Sequence, residues 1–451
     1  MNRFSLEDEK DENEENHCSG KELRTLLFLG IFLRVIVFIF QHPFNNDNYF
    51  EVVEFVFRHH ILPVTGLMPQ SQHPPLYFII ASLFLFFGRE KMVQLFSLLL
   101  SIGTLAVIYR LIKEVEFIQP LRVKKYCLSL ACFLPQFVMF GNFISNDSLT
   151  FLIGALIFLQ IHACLENPGT RTQDILAVYL GIGLLTKIFF LPFVAVLILL
   201  VVFINFLRGA RRTQIGRRVF IFVLISLLIG SYKFTENMIY HRNPFIHTLD
   251  FSPEWAQGQR PTYRGLSSFY DINVLKLIKE PTISDATRHS FPLMLYGTMW
   301  YQYLPVSNFR GNVTRLKYLG SAIYLLALLP MLLFAVGLFR ILFSFPALLH
   351  YKALDGRCFN RLAYEAAAIA LLFLCFLVVI GGAVKYDIWS FLQSKYFFVA
   401  FFSFIVLLNS GLEYVNKKDK RIQGLVYCTL CCLFVLFVVY FLAEILFLFV
   451  H

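Results

Sequence analysis

The sequence predicts an all-α polytopic membrane protein with about eleven transmembrane helices, plus interfacial helices in the first and in a late lumenal (non-cytoplasmic) loop. Of its 451 residues, 57% are hydrophobic and only 15% are charged, whereas a soluble chain of this size carries about 25% charged residues. The mean hydropathy is +0.65. Apolar runs of roughly 17–25 residues, the length that crosses ~30 Å of hydrocarbon, recur along the chain.

Charge and cysteine content argue against two other classes of protein. The formal net charge is +11, but the basic residues are spread through short loops between apolar runs. That distribution is typical of membrane topology and not of a nucleic-acid-binding face. Most of the nine cysteines lie in apolar runs and lack metal-ligand spacing with histidine, so they are expected to be small core residues. We therefore expect no nucleic-acid partner and no cysteine-based metal site.

Eleven apolar runs are predicted to be spans. In chain order they are 24–40, 92–111, 126–144, 148–165, 174–187, 189–207, 218–235, 317–342, 362–384, 395–413 and 424–449. The run 75–87 has about thirteen residues, which is too short to cross comfortably, so it is expected to lie in the interface or to re-enter. Without it, four loops rich in lysine and arginine fall on one side, which is then the cytoplasm. These loops are 110–125, 207–218, 350–361 and 414–421.

This topology predicts four parts of the chain. They are a disordered acidic cytoplasmic tail (1–22), a catalytic transmembrane module (23–235) with a first lumenal loop (41–91), a lumenal loop (236–316) and C-terminal transmembrane helices (317–451). The aromatic stretch 291–305 fits an interfacial segment of the late loop. The apolar stretch 175–206 is interrupted only by Thr186 and Lys187. As one helix it would extend ~48 Å, so we expect a hairpin with Lys187 at its lumenal tip.

Ionisable residues collect at the lumenal ends of the spans. Asp47, Glu51 and Glu54 are spaced i, i+4, i+7 and share one face of a short helix. Glu51 and Glu54 fit the wet face of an interfacial helix, an interpretation in which Tyr49 is turned towards lipid. Asp47 follows a membrane exit directly and is the acid that we expect to be functional. His73, in "HPPLY", either caps the entry turn of a helix or touches a ligand.

Three further side chains belong to the same face. In "FISNDSLTF", Asn146 or Asp147 can simply N-cap the fourth span. Capping does not exclude a function, because a helix N-terminus that faces the site also attracts anions. Lys187 and Lys395 stand beside spans and either snorkel to the interface or bind an anion. A carboxylate beside cations at a membrane surface suits sugar transfer from a lipid phosphate. The carboxylate takes a proton from the acceptor hydroxyl, and the cations stabilise the departing phosphate.

Together these segments resemble the glycosyltransferase C superfamily. An acid in the first lumenal loop, then "PPLYF", an acid after the third span, "GLLTK" and a late "KYFF" occur in this order. The pattern is most similar to relatives of the protein O-mannosyltransferases, the aminoarabinose transferases and the core glycosyltransferases that depend on polyprenyl-phosphate sugars. The resemblance implies an inverting hexosyl or pentosyl transferase that uses a polyprenyl- or dolichyl-phosphate sugar on the lumenal or periplasmic face.

The resemblance also implies roles for single residues. It implies that Asp47 is the general base, that Asp147 is a second acid of the site, and that Lys187 and Lys395 contact phosphate. The expected substrate-binding residues are His73, Asp147, Lys187, Lys395 and Tyr49. Many relatives carry an Asp-Glu pair where this chain has Asp47 followed by asparagine, so a divalent metal is possible but not favoured. Lysine at 395, where relatives often have arginine, keeps the charge but loses the bidentate fork.

Two rival functions stay open at this point. One is a multi-pass transporter or lipid flippase, which needs charges near the membrane midplane and broken helices there. The other is a non-catalytic homologue. A transferase would have a lipid-phosphate-linked sugar donor and a membrane lipid, glycan or protein acceptor as partners. Its location would be the endoplasmic reticulum membrane in a eukaryote, with which a sequon at 312–314 is compatible, or the inner membrane in a bacterium.

Overall fold

The computed structural model of the chain describes residues 4–43, 47–251, 265–301, 316–346 and 356–450. The sequon at 312–314 and the last four residues of the aromatic stretch 291–305 lie outside this part of the chain.

Every regular element in the described residues is a helix. In chain order the α-helices are α1 (Phe4–Phe40), α2 (Tyr49–His59), α3 (Leu76–Leu83), α4 (Glu90–Glu114), α5 (Leu121–Phe133), α6 (Pro135–Phe140), α7 (Asp147–Glu166), α8 (Thr170–Leu184), α9 (Leu191–Leu207), α10 (Arg212–Gly230), α11 (Tyr232–His241), α12 (Ser267–Tyr270), α13 (Leu275–Lys279), α14 (Asp285–Arg288), α15 (Phe291–Trp300), α16 (Lys317–Ser344), α17 (Gly356–Tyr386), α18 (Phe401–Val415) and α19 (Lys420–Val450). Short 3-10 helices lie at Phe84–Phe87, Ile188–Phe190, Thr248–Asp250, Trp389–Phe391 and Ser394–Ala400.

Nine helical segments of the described chain are long and apolar enough to cross a membrane. They are Gly20–Phe40, Glu90–Glu114, Asp147–Glu166, Ile188–Leu207, Arg212–Gly230, Lys317–Ser344, Gly356–Tyr386, Trp389–Val415 and Lys420–Ile445. This confirms an all-helical, multi-pass membrane protein. The predicted number of eleven spans is not confirmed, because the predicted spans 126–144 and 174–187 correspond to broken or shorter helices. At the N-terminus α1 begins at Phe4, within the segment 1–22 for which composition predicts disorder.

The predicted span 126–144 is interrupted at a proline. Pro135 has no N–H group to give to a helix and drives the residue before it out of the helical conformation, so α5 ends and α6 begins there. A buried arginine of α1 binds the carbonyl groups that are left free at the end of α5. The Arg34 guanidinium donates to the carbonyl oxygens of Ala131 at 2.8 Å and Cys132 at 2.9 Å. The interruption is therefore a bonded part of the structure.

The apolar stretch 175–206 is not one helix, as predicted. α8 ends at Leu184, and α9 begins at Leu191 after a short 3-10 helix. Lys187 lies in the connection between them. α8 has 15 residues, which corresponds to about 22 Å, and this is why it falls short of a full crossing.

The first loop contains short helices only. The segment predicted not to span consists of the eight-residue α3 and a four-residue 3-10 helix. Together they extend about 18–20 Å, which is less than the ~30 Å of hydrocarbon. The N–H of Leu76 at the start of α3 donates to the carbonyl oxygen of Leu185 at 3.1 Å. This bond joins the first loop to the connection that carries Lys187.

α7 packs directly against the 3-10 helix that precedes α18. A Cβ atom added at Gly154 of α7 would overlap the carbonyl oxygen of Val399, so this approach requires glycine. The contact runs along one face of α7. Because Asp147 begins α7 and Lys395 lies in the 3-10 helix, the packing brings these two side chains together.

Candidate functional site

A cavity of about 700 Å³ lies between the first loop, the connection after α8, α11 and the segment that follows α17. Its lining comes from the first loop, from the loop 236–316 and from the C-terminal helices. Five of the six predicted site residues line it, namely Asp47, Tyr49, His73, Lys187 and Lys395. The sixth, Asp147, is buried next to the cavity and contacts both lysines.

Lys187 and Asp147 form a buried ion pair. The Lys187 ammonium donates to Asp147 Oδ1, and only 4% and 2% of the two side chains are exposed. Ser145 Oγ donates to Asp147 Oδ2 at 2.9 Å, and the Asp147 N–H donates to Ser145 Oγ at 3.0 Å. Burial of charge is tolerated when the charges are paired and hydrogen-bonded. The turn before α7 therefore fixes the carboxylate that holds Lys187.

Lys395 lies between the two acids of the site. Its Nζ atom is 3.4 Å from Asp47 Oδ2 and 3.9 Å from Asp147 Oδ2. The Lys395 side chain is 5% exposed, whereas that of Asp47 is 37% exposed. The two acids therefore differ in burial and in the number of lysines that they contact. Asp147 is a buried partner of two lysines, and Asp47 contacts one lysine while it stays open to the cavity.

Hydrogen bonds to α15 hold the segment that carries Lys395. The Ser394 N–H donates to Thr298 Oγ1 at 2.9 Å, and Ser394 Oγ donates to the Thr298 carbonyl oxygen at 2.6 Å. Both residues are buried, as is Trp300 at the end of α15. A buried helix thus fixes the residue immediately before the lysine.

Tyr49 and His73 form a hydrogen-bonded pair on the cavity wall. Tyr49 OH and His73 Nε2 are 3.1 Å apart. Loss of solvent around the imidazole, and after it the charge of Lys187, holds the pKa of His73 well below its ordinary value, so the ring is neutral near pH 7. Burial raises the pKa of the Tyr49 phenol well above its ordinary value. Tyr49 is 4% exposed, so the interpretation that turned it towards lipid is wrong.

Sequence reasoning did not single out Tyr396 and Gln393, which also line the cavity. The centroid of the Tyr396 ring is 5.3 Å from Lys187 Nζ and 5.4 Å from Lys395 Nζ, so one ring provides a cation–π contact to each ammonium group. Both residues lie within two positions of Lys395. This proximity to Lys395 in the sequence is the one signal that could have drawn attention to them.

The acids of α2 lie away from the cavity. Glu51 is exposed, and Glu54 forms an ion pair with Arg58 on the outer face of the helix, as the wet-face interpretation predicts. Among the described residues, no three His, Cys, Asp or Glu side chains converge in a way that could hold a metal ion. The carboxylates of Asp47 and Asp147 face lysines.

No family model and no curated protein matches this chain. ArnT from Cupriavidus metallidurans has a similar structure. Its apo form shares 15% identity over 87% of this chain and 77% of its own, with a TM-score of 0.40. Its complex with undecaprenyl phosphate shares 14% identity over 89% of this chain and 78% of its own, with a TM-score of 0.38.

A third similar structure is the apo oligosaccharyltransferase of Archaeoglobus fulgidus. It shares 12% identity over 92% of this chain, with a TM-score of 0.48, and this chain spans 56% of its length. All three similarities are at a low sequence identity of 12–15%.

Proposed function

We propose that this chain is a membrane glycosyltransferase. It moves a sugar from a polyprenyl- or dolichyl-phosphate donor to an acceptor hydroxyl on the lumenal or periplasmic face, with inversion at the sugar carbon. One observation carries the proposal: the carboxylate of Asp47, 37% exposed on the wall of a large cavity, lies 3.4 Å from the buried ammonium of Lys395. An open base and a buried cation side by side are what proton removal and phosphate departure require.

The charge of Asp47 links the two halves of the reaction. Asp47, Asp147, Lys187 and Lys395 together carry no net charge, since two carboxylates face two ammonium groups. As the acceptor oxygen bonds to the sugar carbon, its proton passes to Asp47, and the bond from that carbon to the phosphate oxygen breaks with its electron pair. Asp47 is then neutral. The full charge of Lys395 becomes available to the departing phosphate when negative charge develops there.

The other predicted residues support this chemistry in different ways. Asp147 does not line the cavity, so its proposed part is to hold Lys187 and Lys395 in position towards the phosphate. The neutral pair of Tyr49 and His73 offers hydrogen bonds to the acceptor or the donor without adding charge. A direct displacement assisted by one base inverts the configuration of the sugar carbon.

The test compares two acid-to-amide variants in the first loop. Purified protein is incubated with labelled polyprenyl-phosphate sugars and membrane acceptors, and transfer is measured for wild type, Asp47→Asn and Glu51→Gln. Loss of the general base should lower kcat by about 10²–10⁴-fold, whereas the exposed Glu51 should be dispensable. Undiminished transfer by Asp47→Asn would remove the proposed base.

A transport function would give a different result in the same preparation. Protein reconstituted in vesicles would then move the sugar lipid across the bilayer without transferring its sugar to any acceptor. The proposed sidedness has its own test, because glycosylation tags inserted at Gln70 and Lys418 should lie on opposite faces. Finding both tags on one face would contradict the topology.

A further inference from the structure

The proposed reaction leaves one wall of the cavity without a role. This wall is a row of nearly parallel aromatic rings. The ring centroids of Phe189 and Tyr396 are 4.9 Å apart, those of Tyr396 and Phe391 are 6.2 Å apart, and those of Phe391 and Tyr386 are 5.5 Å apart, with interplanar angles of 5°, 25° and 12°. Rows of apolar rings with a few placed polar groups are typical of small-molecule sites.

One polar group in this wall has no hydrogen-bond partner. Gln393 lines the cavity and is 3% exposed. Its Oε1 atom is one of the buried side-chain atoms of the described chain that no donor reaches. An unpaired buried amide oxygen is unfavourable and is explained when a ligand supplies the donor. The hydrocarbon tail of a lipid has no such donor, whereas every hydroxyl group of a sugar can donate.

We propose that Gln393, with the rings of Phe391 and Tyr396, binds the sugar ring of the donor, and that Gln393 Oε1 accepts a hydrogen bond from one of its hydroxyl groups. The inference rests on the proposed function and names the residue that selects the sugar. Gln393 lies two residues before Lys395, and Tyr396 contacts both lysines. A sugar attached to a phosphate held by these lysines therefore lies beside this wall.

The position of the Phe391 ring depends on a particular glycine. A Cβ atom added at Gly382 would lie 2.9 Å from Phe391 Cδ1, whereas one added at Gly381 would meet nothing within 4 Å. Gly382→Ala therefore displaces the ring. Gly381→Ala brings the same gain in helix propensity without touching it. The two neighbouring substitutions form a matched pair.

The test measures binding of two kinds of lipid to the full-length protein in nanodiscs. One probe is polyprenyl phosphate without a sugar, and the other is the same lipid phosphate carrying mannose, glucose, galactose or arabinose. Wild type should bind at least one sugar-bearing lipid more tightly than the sugar-free lipid. Gln393→Leu should reduce this preference roughly three- to tenfold, the contribution of one neutral hydrogen bond. Its affinity for the sugar-free lipid should not change.

The matched control for the amide is Gln94→Leu. Gln94 is a buried amide whose two side-chain polar atoms have no hydrogen-bond partner in the described part of the chain, and it does not line the cavity. This substitution should leave the preference unchanged. Gly382→Ala should lower the preference, and Gly381→Ala should not.

Several outcomes would overturn the inference, and they differ from one another. If Gln393→Leu weakens both kinds of lipid equally, the residue has a structural role only. If wild type binds the sugar-free lipid as tightly as every sugar-bearing lipid, the sugar site is absent while the lipid-phosphate site stands. If wild type binds none of these lipids, the proposed function fails and the sugar site fails with it. An equal loss of preference in both glycine variants would exclude a role for Phe391.

Discussion

The buried ion pair of Lys187 and Asp147 leads to a quantitative prediction about stability. Asp147→Asn would leave the Lys187 ammonium without its bonded carboxylate in a site where 4% of the side chain is exposed. It would also remove the carboxylate 3.9 Å from Lys395. Breaking a buried pair in this way costs about 3–5 kcal/mol of unfolding free energy. Asp47→Asn removes a partner that is 37% exposed and leaves the buried Lys395 its contact with Asp147, so its cost should be much smaller.

The two aspartates should therefore separate stability from activity. Thermal and denaturant unfolding of the purified protein, followed by tryptophan fluorescence, should show Asp147→Asn far less stable than wild type. Asp47→Asn should be close to wild type in stability and defective in transfer.

A double variant tests the cause of this difference. Asp147→Leu combined with Lys187→Met replaces both charges by apolar groups, and such replacements of a buried pair are often neutral. The double variant should recover most of the stability that is lost when only one of the two charged residues is replaced. The reasoning would be refuted if Asp147→Asn were as stable as Asp47→Asn, or if the double variant were no more stable than Asp147→Asn.

Two further predictions concern Thr298, which holds the segment of Lys395, and His247, which lines the cavity. Thr298→Val removes the hydroxyl that accepts from the buried Ser394 N–H, so it should lower the unfolding free energy by about 1–3 kcal/mol and raise the donor KM. Thr104→Val is the control, because the Thr104 hydroxyl donates to the Leu100 carbonyl oxygen of its own helix. Equal effects of the two substitutions would contradict this expectation. Burial lowers the pKa of His247 to about 4 in the folded protein, whereas a histidine in the unfolded chain has a pKa near 6.5. The unfolded chain therefore binds the proton more readily, and the free energy of unfolding should fall as the pH drops from about 6.5 to 4. The thermal midpoint of His247→Gln should fall less steeply with decreasing pH than that of wild type, whereas substitution of the exposed His59 by Gln should leave the decline as it is. If His247→Gln showed the same pH dependence as wild type, His247 would not be its cause.

Some features of the site follow from sequence alone. The turn at Lys187 was predictable because an apolar stretch too long for one span contains only two polar residues. The short helices of the first loop were predictable from their length. By contrast, the different exposure of Asp47 and Asp147 depends on how α7 packs against the segment around Val399. That contact cannot be predicted from amino-acid composition. The interruption at Pro135 was missed because a proline inside an apolar run is compatible with either a kinked or a broken span.

The aromatic wall was missed for a related reason. In the sequence, Phe391 and Tyr386 look like ordinary apolar residues. They form part of the aromatic wall only because the fold places them next to Gly382. The unpaired amide oxygen of Gln393 could not be predicted either, because the lack of a hydrogen-bond partner is a property of the folded structure.

The buried Arg34 has a consequence for how the chain enters the membrane during synthesis. A cation in the middle of a span costs about 2.5–3.5 kcal/mol when the helix stands alone in lipid. The carbonyl oxygens that bind the guanidinium lie 97 and 98 residues further along the chain. The ribosome makes them after α1 has emerged, so α1 meets the bilayer with the Gly30 carbonyl oxygen of its own helix as a partner of Arg34, but before the partners in α5 exist. We therefore expect the placement of α1 in the bilayer to become more favourable once α5 arrives and binds the guanidinium group.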